Sequence, residues 1–262
     1  MHKLLIIVNA KVKEAGKIAA SPVTEKMVNA LIAGVNQELI RPTYSKVPGE
    51  IIAVEKQKPV KIEVVAAASL WSEPDKLKYT ESGAICCPLT IQLPYDFDFP
   101  ARDVWRACQD IKGRRNWVAQ KLNYKTSTND TPLGDLWLPA IVTEEGLFYE
   151  EIIGEGAMPN SYQQPVNLPD RINQSVYNLA DKLLESIDRT PGVYLLQFCL
   201  RKSEIIFDRL WPFPAAPALA SIRMRQPNLY TYHWHCLSGK KFLNSNVQEK
   251  VAKSDRDSVA RY

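Results

Sequence analysis

The sequence is poor in histidine and in glycine. Its 262 residues include three histidines and eleven glycines, against eighteen prolines. Two of the three histidines lie in one stretch, YTYHWHC at 230–236, so this stretch holds most of the candidate histidine ligands and bases. The excess of proline over glycine predicts many extended connections and turns, because proline fixes φ and ends helices.

Several motifs of catalytic and nucleotide-binding proteins are absent. The chain has no GxSxG elbow, no GxxxxGK[ST] loop and no GxGxxG fingerprint, and it contains neither CxxC nor HxxxH. These absences argue against a serine hydrolase, a P-loop nucleotide hydrolase, Rossmann-type redox chemistry and a zinc site built from such pairs.

Long apolar runs and a disulfide framework are also missing. No stretch approaches the roughly 18 apolar residues of a membrane span, and the apolar run near the N-terminus is too short for a signal peptide. The five cysteines are odd in number and irregularly spaced, as expected of reduced thiols. The net charge of +4 is too mild to indicate nucleic-acid binding by itself. We therefore expect a cytoplasmic protein without a membrane segment.

The hydrophobic patterning predicts an α+β fold, with a mixed or antiparallel sheet and about three substantial helices. Amphipathic helices are predicted after Ser21-Pro22, from about Pro100, and over 168–187, where apolar residues recur every three or four positions. Strands are predicted at 3–10, 50–55, 61–71, 84–93, 135–143, 146–154, 192–200 and 204–211. We expect subdomains at 1–125 and 126–242, followed by a flexible polar tail at 243–262.

The stretch YTYHWHC is predicted to form a strand. His233 and His235 would then share a face with Thr231, while Tyr232, Trp234 and Cys236 would face the other side. Two histidines at that spacing can chelate a metal, but a third ligand is not marked anywhere in the sequence. A half-buried strand without a metal is therefore the preferred interpretation.

A basic patch lies between residues 102 and 125 and is interleaved with tryptophan. Arginine and lysine neutralise phosphates, and aromatic rings stack on bases, so the patch is a candidate surface for nucleic acid or another polyanion. The alternative is a solvated helix face. The candidate residues are Arg102, Arg106, Lys112, Arg114, Arg115 and Trp117.

The segment WPFPAAPALASIRMRQPNLY (211–230) is apolar, ordered by proline and edged by arginine. Trp, Phe, Met, Tyr and Arg are enriched at protein interfaces. Trp211, Phe213, Arg223 and Arg225 are therefore candidate partner-binding residues. The alternative is that the segment wraps the core.

Residues 168–217 resemble the C-terminal lobe of ATP-grasp ligases. The shared order is a helix, the strand TPGVYLLQF, a short turn and the strand EIIFDRLW. The resemblance implies two acidic positions that hold the magnesium ions of ATP, and these fall at Gln197 and Asp208. Only Asp208 keeps a carboxylate, and Leu210 occupies the position of the family's asparagine.

A second stretch extends that resemblance. GLFYEEIIG (146–154) resembles the strand that contributes to the family's adenine pocket, whereas the family's glycine-rich phosphate lid is missing. The resemblance implies Mg-ATP as cofactor, with Asp208 near magnesium and Lys121 or Lys125 near phosphate.

The sequence therefore leaves three functional interpretations open. The leading one, based on the missing motifs and on the 211–230 segment, is a non-catalytic intracellular binding or assembly protein without a cofactor, whose partner is another protein. The first alternative is an ATP-dependent, ATP-grasp-related ligase-like enzyme, and the second is a polyanion-binding protein. A gain in stability with Mg-ATP would distinguish the enzyme from the other two.

Overall fold

The computed structural model describes residues 3–12, 18–40, 59–80, 82–128, 133–224 and 226–240. The predicted strand at 50–55, the tail at 243–262 and Arg225 lie outside these ranges. Within them the helices are α1 (Pro22–Ile40), α2 (Glu73–Thr80), α3 (Arg102–Gln109), α4 (Ile111–Leu122), α5 (Asp170–Glu185) and α6 (Leu229–Leu237). Two 3₁₀ helices cover Ala67–Trp71 and Ala216–Arg223.

Twelve strands form three sheets in the described ranges. They are β1 (Lys3–Val8), β2 (Ala10–Val12), β3 (Ile18–Ala20), β4 (Lys61–Ala66), β5 (Ile85–Pro88), β6 (Lys125–Thr126), β7 (Leu136–Val142), β8 (Leu147–Tyr149), β9 (Ile153–Glu155), β10 (Tyr162–Gln163), β11 (Gly192–Arg201) and β12 (Glu204–Trp211). The α+β class with mixed sheets is confirmed, but the prediction of about three helices is too low.

The N-terminal part contains a small parallel sheet. Its order is β4-β1-β5, and the central strand β1 is buried because its residues 4–8 are apolar on both faces. Helix α1 follows, with the hydroxyl of Ser21 accepting a hydrogen bond from the Thr24 amide at 3.2 Å. This N-cap and the apolar face of Met27, Leu31 and Val35 account for the predicted helix.

The larger sheet has seven strands, in the order β10-β9-β7-β11-β12-β6 with β8 also paired to β7. Its pairs are antiparallel except for β6 with β12. The predicted β7–β8 and β11–β12 hairpins are both confirmed. At the second turn, Lys202 and Ser203 adopt φ of 50° and 66°, which a two-residue hairpin turn requires.

The large sheet is covered on both faces. Trp137, Leu195 and their neighbours on one face belong to the same hydrophobic cluster as β1, α1 and α6. Leu138 and Leu196, which point the other way, pack with α4 and α5. Among the described residues, no helix combines the length and the apolar composition that crossing a bilayer requires.

The prediction of a strand at 230–236 is wrong. YTYHWHC lies in helix α6, whose N-cap Asn228 accepts hydrogen bonds from the amides of Tyr230 and Thr231 at 3.0 and 3.1 Å. Gly113 lies in the first turn of α4, where its amide donates to the Asp110 carboxylate at 2.8 Å. The proposed division at 125/126 remains a prediction.

Candidate functional site

The candidate site lies at a β-bulge between β11 and β12. Gln197 lies opposite Arg209, whereas the next residue, Phe198, lies opposite Phe207. Asp208 is therefore the extra residue of β12, without a Cα partner on β11. Bulges re-aim side chains and increase local twist, and this one brings Asp208 and Arg209 together, with the Arg209 Nε 3.4 Å from Asp208 Oδ1.

The carboxylate of Asp208 is fully buried and bonded at both oxygens. Arg115 of α4 donates through Nη2 to Oδ1 and through Nε to the main-chain oxygen of Asp208, the latter at 2.9 Å. The amide of Gly134 donates to Oδ2 at 2.8 Å. These donors compensate the cost of burying the charge. Asp208 is thus an internal counter-ion for Arg115 and Arg209.

Gln197 is almost fully buried next to Asp208, and both ends of its amide are used. Its Nε2 donates to the carbonyl of Gly134 at 2.6 Å, and its Oε1 accepts from the indole N–H of Trp211 at 2.9 Å. Residue 134 must be glycine for its main chain to lie this close to β11, because a Cβ there would lie 2.8 Å from the main chain of Phe198. Gln197 therefore orients Trp211 and fixes the loop at Gly134.

These side chains do not fit a magnesium ion at the two positions that the sequence resemblance implied. Magnesium prefers carboxylates and waters in an octahedral arrangement. Asp208 is engaged with three donors, and Gln197 offers a neutral amide whose oxygen is already bonded. In the described ranges, no group of three or more His, Cys, Asp or Glu residues could hold a metal ion.

Arg115, Asp208 and Arg209 form a charged cluster in which positive charge is in excess. One carboxylate, that of Asp208, faces the two guanidinium groups of Arg115 and Arg209. The Arg209 side chain is 23% exposed and its Cζ lies 5.4 Å from the ring centroid of Trp211. Neither of its Nη groups hydrogen-bonds to another described residue. Arg209 can therefore donate to an incoming anion.

Aromatic side chains lie beside this cation on the same sheet. Trp137 of β7 is directly opposite Gln197. The rings of Trp137 and Tyr162 are perpendicular, with 5.6 Å between their centroids. Trp211 contacts Phe213 at 5.9 Å. Trp137 and Phe213 are buried, whereas Tyr162 and Trp211 are partly exposed. These two rings and the guanidinium group of Arg209 suit a ligand with an aromatic base and phosphate groups.

The two lysines predicted near phosphate lie on and after α4. Lys125 pairs with Glu204 at 2.5 Å, and both side chains are more than half exposed. Lys121 is exposed near the end of α4. None of the contacts described for Asp208 involves either lysine. Phosphate binding by Lys121 or Lys125 stays a prediction.

Much of the predicted basic patch is engaged in contacts within the chain. Arg102 pairs with Asp98 at 2.9 Å, and Arg106 with Asp103 at 3.1 Å. Arg115 is bonded to Asp208, and Arg114 donates to Ser186 at 3.4 Å while lying 5.7 Å from the Trp117 ring. Lys112 is exposed. The acidic neighbours reduce the net positive charge of this surface.

The predicted partner-binding residues are spread between the core and the surface. Phe213 is buried and stacks on Trp105 with 6.0 Å between ring centroids. Trp211 is half-buried beside Arg209, and Arg223 is exposed at the end of its 3₁₀ helix. Partner binding by these residues is untested.

The two histidines of α6 do not share a face. Residues two apart in a helix point to nearly opposite sides. His233 is buried, its Nδ1 accepts from the Val193 amide at 2.9 Å, and burial lowers its pKa to about 3. His235 is only half-buried. His233 is thus a neutral acceptor that completes the hydrogen bonding at the start of β11.

Sequence reasoning found Asp208 but missed Arg209 and its link to Arg115. Arg115 was assigned to the basic patch, whereas its contact with Asp208 spans 93 residues of chain. No local pattern signals the bulge, because a bulge depends on the register between two strands. The tandem Asp208-Arg209 near the end of a predicted strand is the only sequence signal of the pair.

Comparison with known structures identifies the fold. N5-carboxyaminoimidazole ribonucleotide synthetase from Thermus thermophilus is similar, with 12% identity, a TM-score of 0.63 and coverage of 91% of this chain and 79% of that chain. An ADP complex of the same type of synthetase has 11% identity, a TM-score of 0.61 and coverage of 92% and 78%. A putative ATP-grasp superfamily protein from Archaeoglobus fulgidus has 10% identity, a TM-score of 0.51 and coverage of 93% and 90%.

The chain therefore has an ATP-grasp-like fold, and the resemblance seen in residues 168–217 is confirmed and extends over most of the chain. No protein-family model and no curated protein matches the sequence itself. The leading interpretation of a non-catalytic binding or assembly protein is wrong, because the similar structures include synthetases and favour the ligase-like alternative.

Proposed function

We propose that this chain is an ATP-dependent ligase-like enzyme. The observation that carries the proposal is the likeness to synthetase structures over 91–92% of the chain. Because fold alone does not determine activity, the residues of the site must supply the chemistry.

The nucleotide would lie against Arg209, Trp211 and Tyr162, the partly exposed side chains beside buried Trp137 and Gln197. The binding of ADP by a similar synthetase supports an adenine nucleotide as ligand. The rings of Trp211 and Tyr162 would contact the base, and the Nη groups of Arg209, which hydrogen-bond to no other described residue, would bind phosphate oxygens. Asp208 and Trp211 would hold the guanidinium in place.

The first experiment is a pair of measurements on the full chain, a thermal melt and an assay of ADP release. ATP at about one hundred times its dissociation constant stabilises the folded state by about 2.7 kcal/mol. At about 2–4 °C per kcal/mol, the melting temperature should rise by about 5–11 °C. ADP release should increase when a carboxylic acid and an amine are supplied together.

Matched nucleotides sharpen the test. GTP should stabilise the protein less than ATP does, if the rings contact adenine. Failure of every adenine nucleotide to raise the melting temperature of folded protein, with no ADP formed, would rule the proposal out.

We further propose a cytoplasmic location. All five cysteines are free, and four of them are buried. Burial raises the pKa of Cys108 and of Cys236 to about 12, so these thiols stay protonated and unreactive. Free thiols in this number are typical of a reducing compartment. Fractionation of cells expressing the protein would test the location.

A further inference from the structure

We propose that the site binds the phosphate groups of its nucleotide without a divalent cation, with the guanidinium of Arg209 supplying the positive charge. This inference rests on the proposed function, because it concerns the same ligand.

The two positions that could hold a cation are unsuited to one. Asp208 has no free carboxylate oxygen, since Oδ1 accepts from Arg115 and Arg209 and Oδ2 accepts from Gly134. Gln197 carries no charge, and its Oε1 is occupied by the Trp211 indole. A cation placed there would have to break these buried hydrogen bonds, each of which is costly to leave unmade.

The local charge around Asp208 is positive. Two guanidinium groups and one carboxylate leave the cluster with one net positive charge, in a region where Asp208 is fully buried and Gln197 is 6% exposed. Electrostatic interactions are stronger in such surroundings than in water. The cluster therefore repels a divalent cation and attracts a polyphosphate that still carries its full negative charge.

The guanidinium group of Arg209 is preorganised. Its Nε is directed at Asp208 Oδ1, and its Cζ lies 5.4 Å from the centre of the Trp211 ring. Trp211 is itself fixed by its hydrogen bond to Gln197 at 2.9 Å. The guanidinium group thus contacts Asp208 and Trp211, while its Nη groups hydrogen-bond to no other residue in the described ranges. A planar fork of this kind binds phosphate oxygens in a bidentate manner.

The bulge explains why this arrangement arises here. A regular register would pair consecutive residues of β12 with β11 and would leave only every second side chain on one face. The extra residue at Asp208 instead allows the adjacent Asp208 and Arg209 to contact each other beside Gln197. The bulge therefore supplies both the counter-ion, Asp208, and the anion-binding group, Arg209, from adjacent positions of β12.

The test measures ATP binding to the full chain by calorimetry, once with excess magnesium and once with excess EDTA. The dissociation constant in EDTA should be equal to or lower than that in magnesium. Arg209→Ala should weaken binding in EDTA by about tenfold or more, the effect expected from loss of a charge-assisted hydrogen bond. Arg209→Lys should retain part of the affinity, because it keeps the charge but not the fork.

A matched control is available on the same hairpin. Arg201 is the last residue of β11, four residues beyond Gln197, and its side chain is exposed. Arg201→Ala removes the same charge and should leave ATP affinity unchanged. If Arg209→Ala does not fold, Arg209→Lys with its melting temperature checked takes its place.

The outcomes separate this inference from the proposed function. Binding of ATP in magnesium but not in EDTA would overturn the cation-free mode and leave the ligase-like proposal standing. Equal binding by the Arg209 and Arg201 variants would overturn the role of Arg209. Absence of ATP binding in both buffers would overturn the proposed function and this inference together.

Discussion

Asp208 is fully buried and forms an ion pair with Arg115. Substitution of Asp208 tests whether its charge is needed as a counter-ion. Replacement by asparagine keeps the shape but removes the charge that two guanidinium groups face. Because breaking a buried pair leaves an uncompensated charge, Asp208→Asn should lower the free energy of unfolding by about 3 kcal/mol. Urea unfolding at pH 7 measures this, and the loss should be the same with and without magnesium.

The Lys125–Glu204 pair provides the control for Asp208. Its side chains are 64% and 57% exposed, so solvent screens the interaction. Glu204→Gln should change the free energy of unfolding by less than about 1 kcal/mol. Equal losses for the two substitutions would show that the Asp208 pair is no stronger than a surface pair.

His233 predicts a specific dependence of stability on pH. Burial lowers its pKa from 6.5 to about 3, so the unfolded chain binds a proton in this interval and the folded chain does not. Stability contributed by neutral His233 is therefore complete above about pH 6.5 and is lost as the pH falls. The slope approaches about 1.4 kcal/mol per pH unit.

The variant that tests this is His233→Asn, whose amide oxygen can accept from the Val193 amide without titrating. Urea unfolding between pH 6 and pH 4 should give a slope shallower than that of the parent protein by about 1.4 kcal/mol per pH unit. Parallel pH profiles for the two proteins would contradict the assignment.

At the scale of single residues, the sequence predicted only part of the site. Asp208 was singled out because a family resemblance marked it, and Arg115 because it lies among other basic residues. Their contact could not be predicted, because it joins α4 to a bulge in β12 across 93 residues. The role of Arg209 depends on the same bulge, which is set by strand register rather than by local sequence.

At the scale of elements, the sequence was informative wherever one face of a helix or strand is buried. The stripe of Ile172, Val176, Leu179 and Leu183 predicted α5, and all four side chains are buried. The β7–β8 and β11–β12 hairpins were likewise predicted from their apolar runs and polar turns. Helix α6 was missed, because seven of its nine residues are buried and leave no amphipathic period.

The composition of α6 also favours a strand, since tyrosine, threonine and tryptophan have strand preference. What specifies the helix is its start, where Asn228 accepts from two backbone amides. Asn228→Ala should therefore cost about 1 kcal/mol of stability in urea unfolding. Asn228→Ser should retain most of it, and equal losses for the two variants would show that the cap is not the cause.

At the scale of the whole molecule, α6 connects the N-terminal part to the large sheet. Gly34 lets α6 approach α1, because a Cβ there would lie 2.7 Å from the Thr231 hydroxyl. On the other side, His233 accepts from the main chain of β11. Residues of α1, α6 and β11 accordingly belong to one hydrophobic cluster. This cluster crosses the division that the sequence suggested at 125/126.

A shared cluster predicts that the two halves unfold together. Leu31 of α1 and Leu195 of β11 are both fully buried in it, and replacing either by alanine should cost about 2–5 kcal/mol. In each variant, tryptophan fluorescence and far-UV circular dichroism should report one coincident urea transition, displaced as a whole. If Leu31→Ala instead produced two transitions, with one at the parent midpoint, residues 1–125 would be an independent unit and the cluster only a contact between domains.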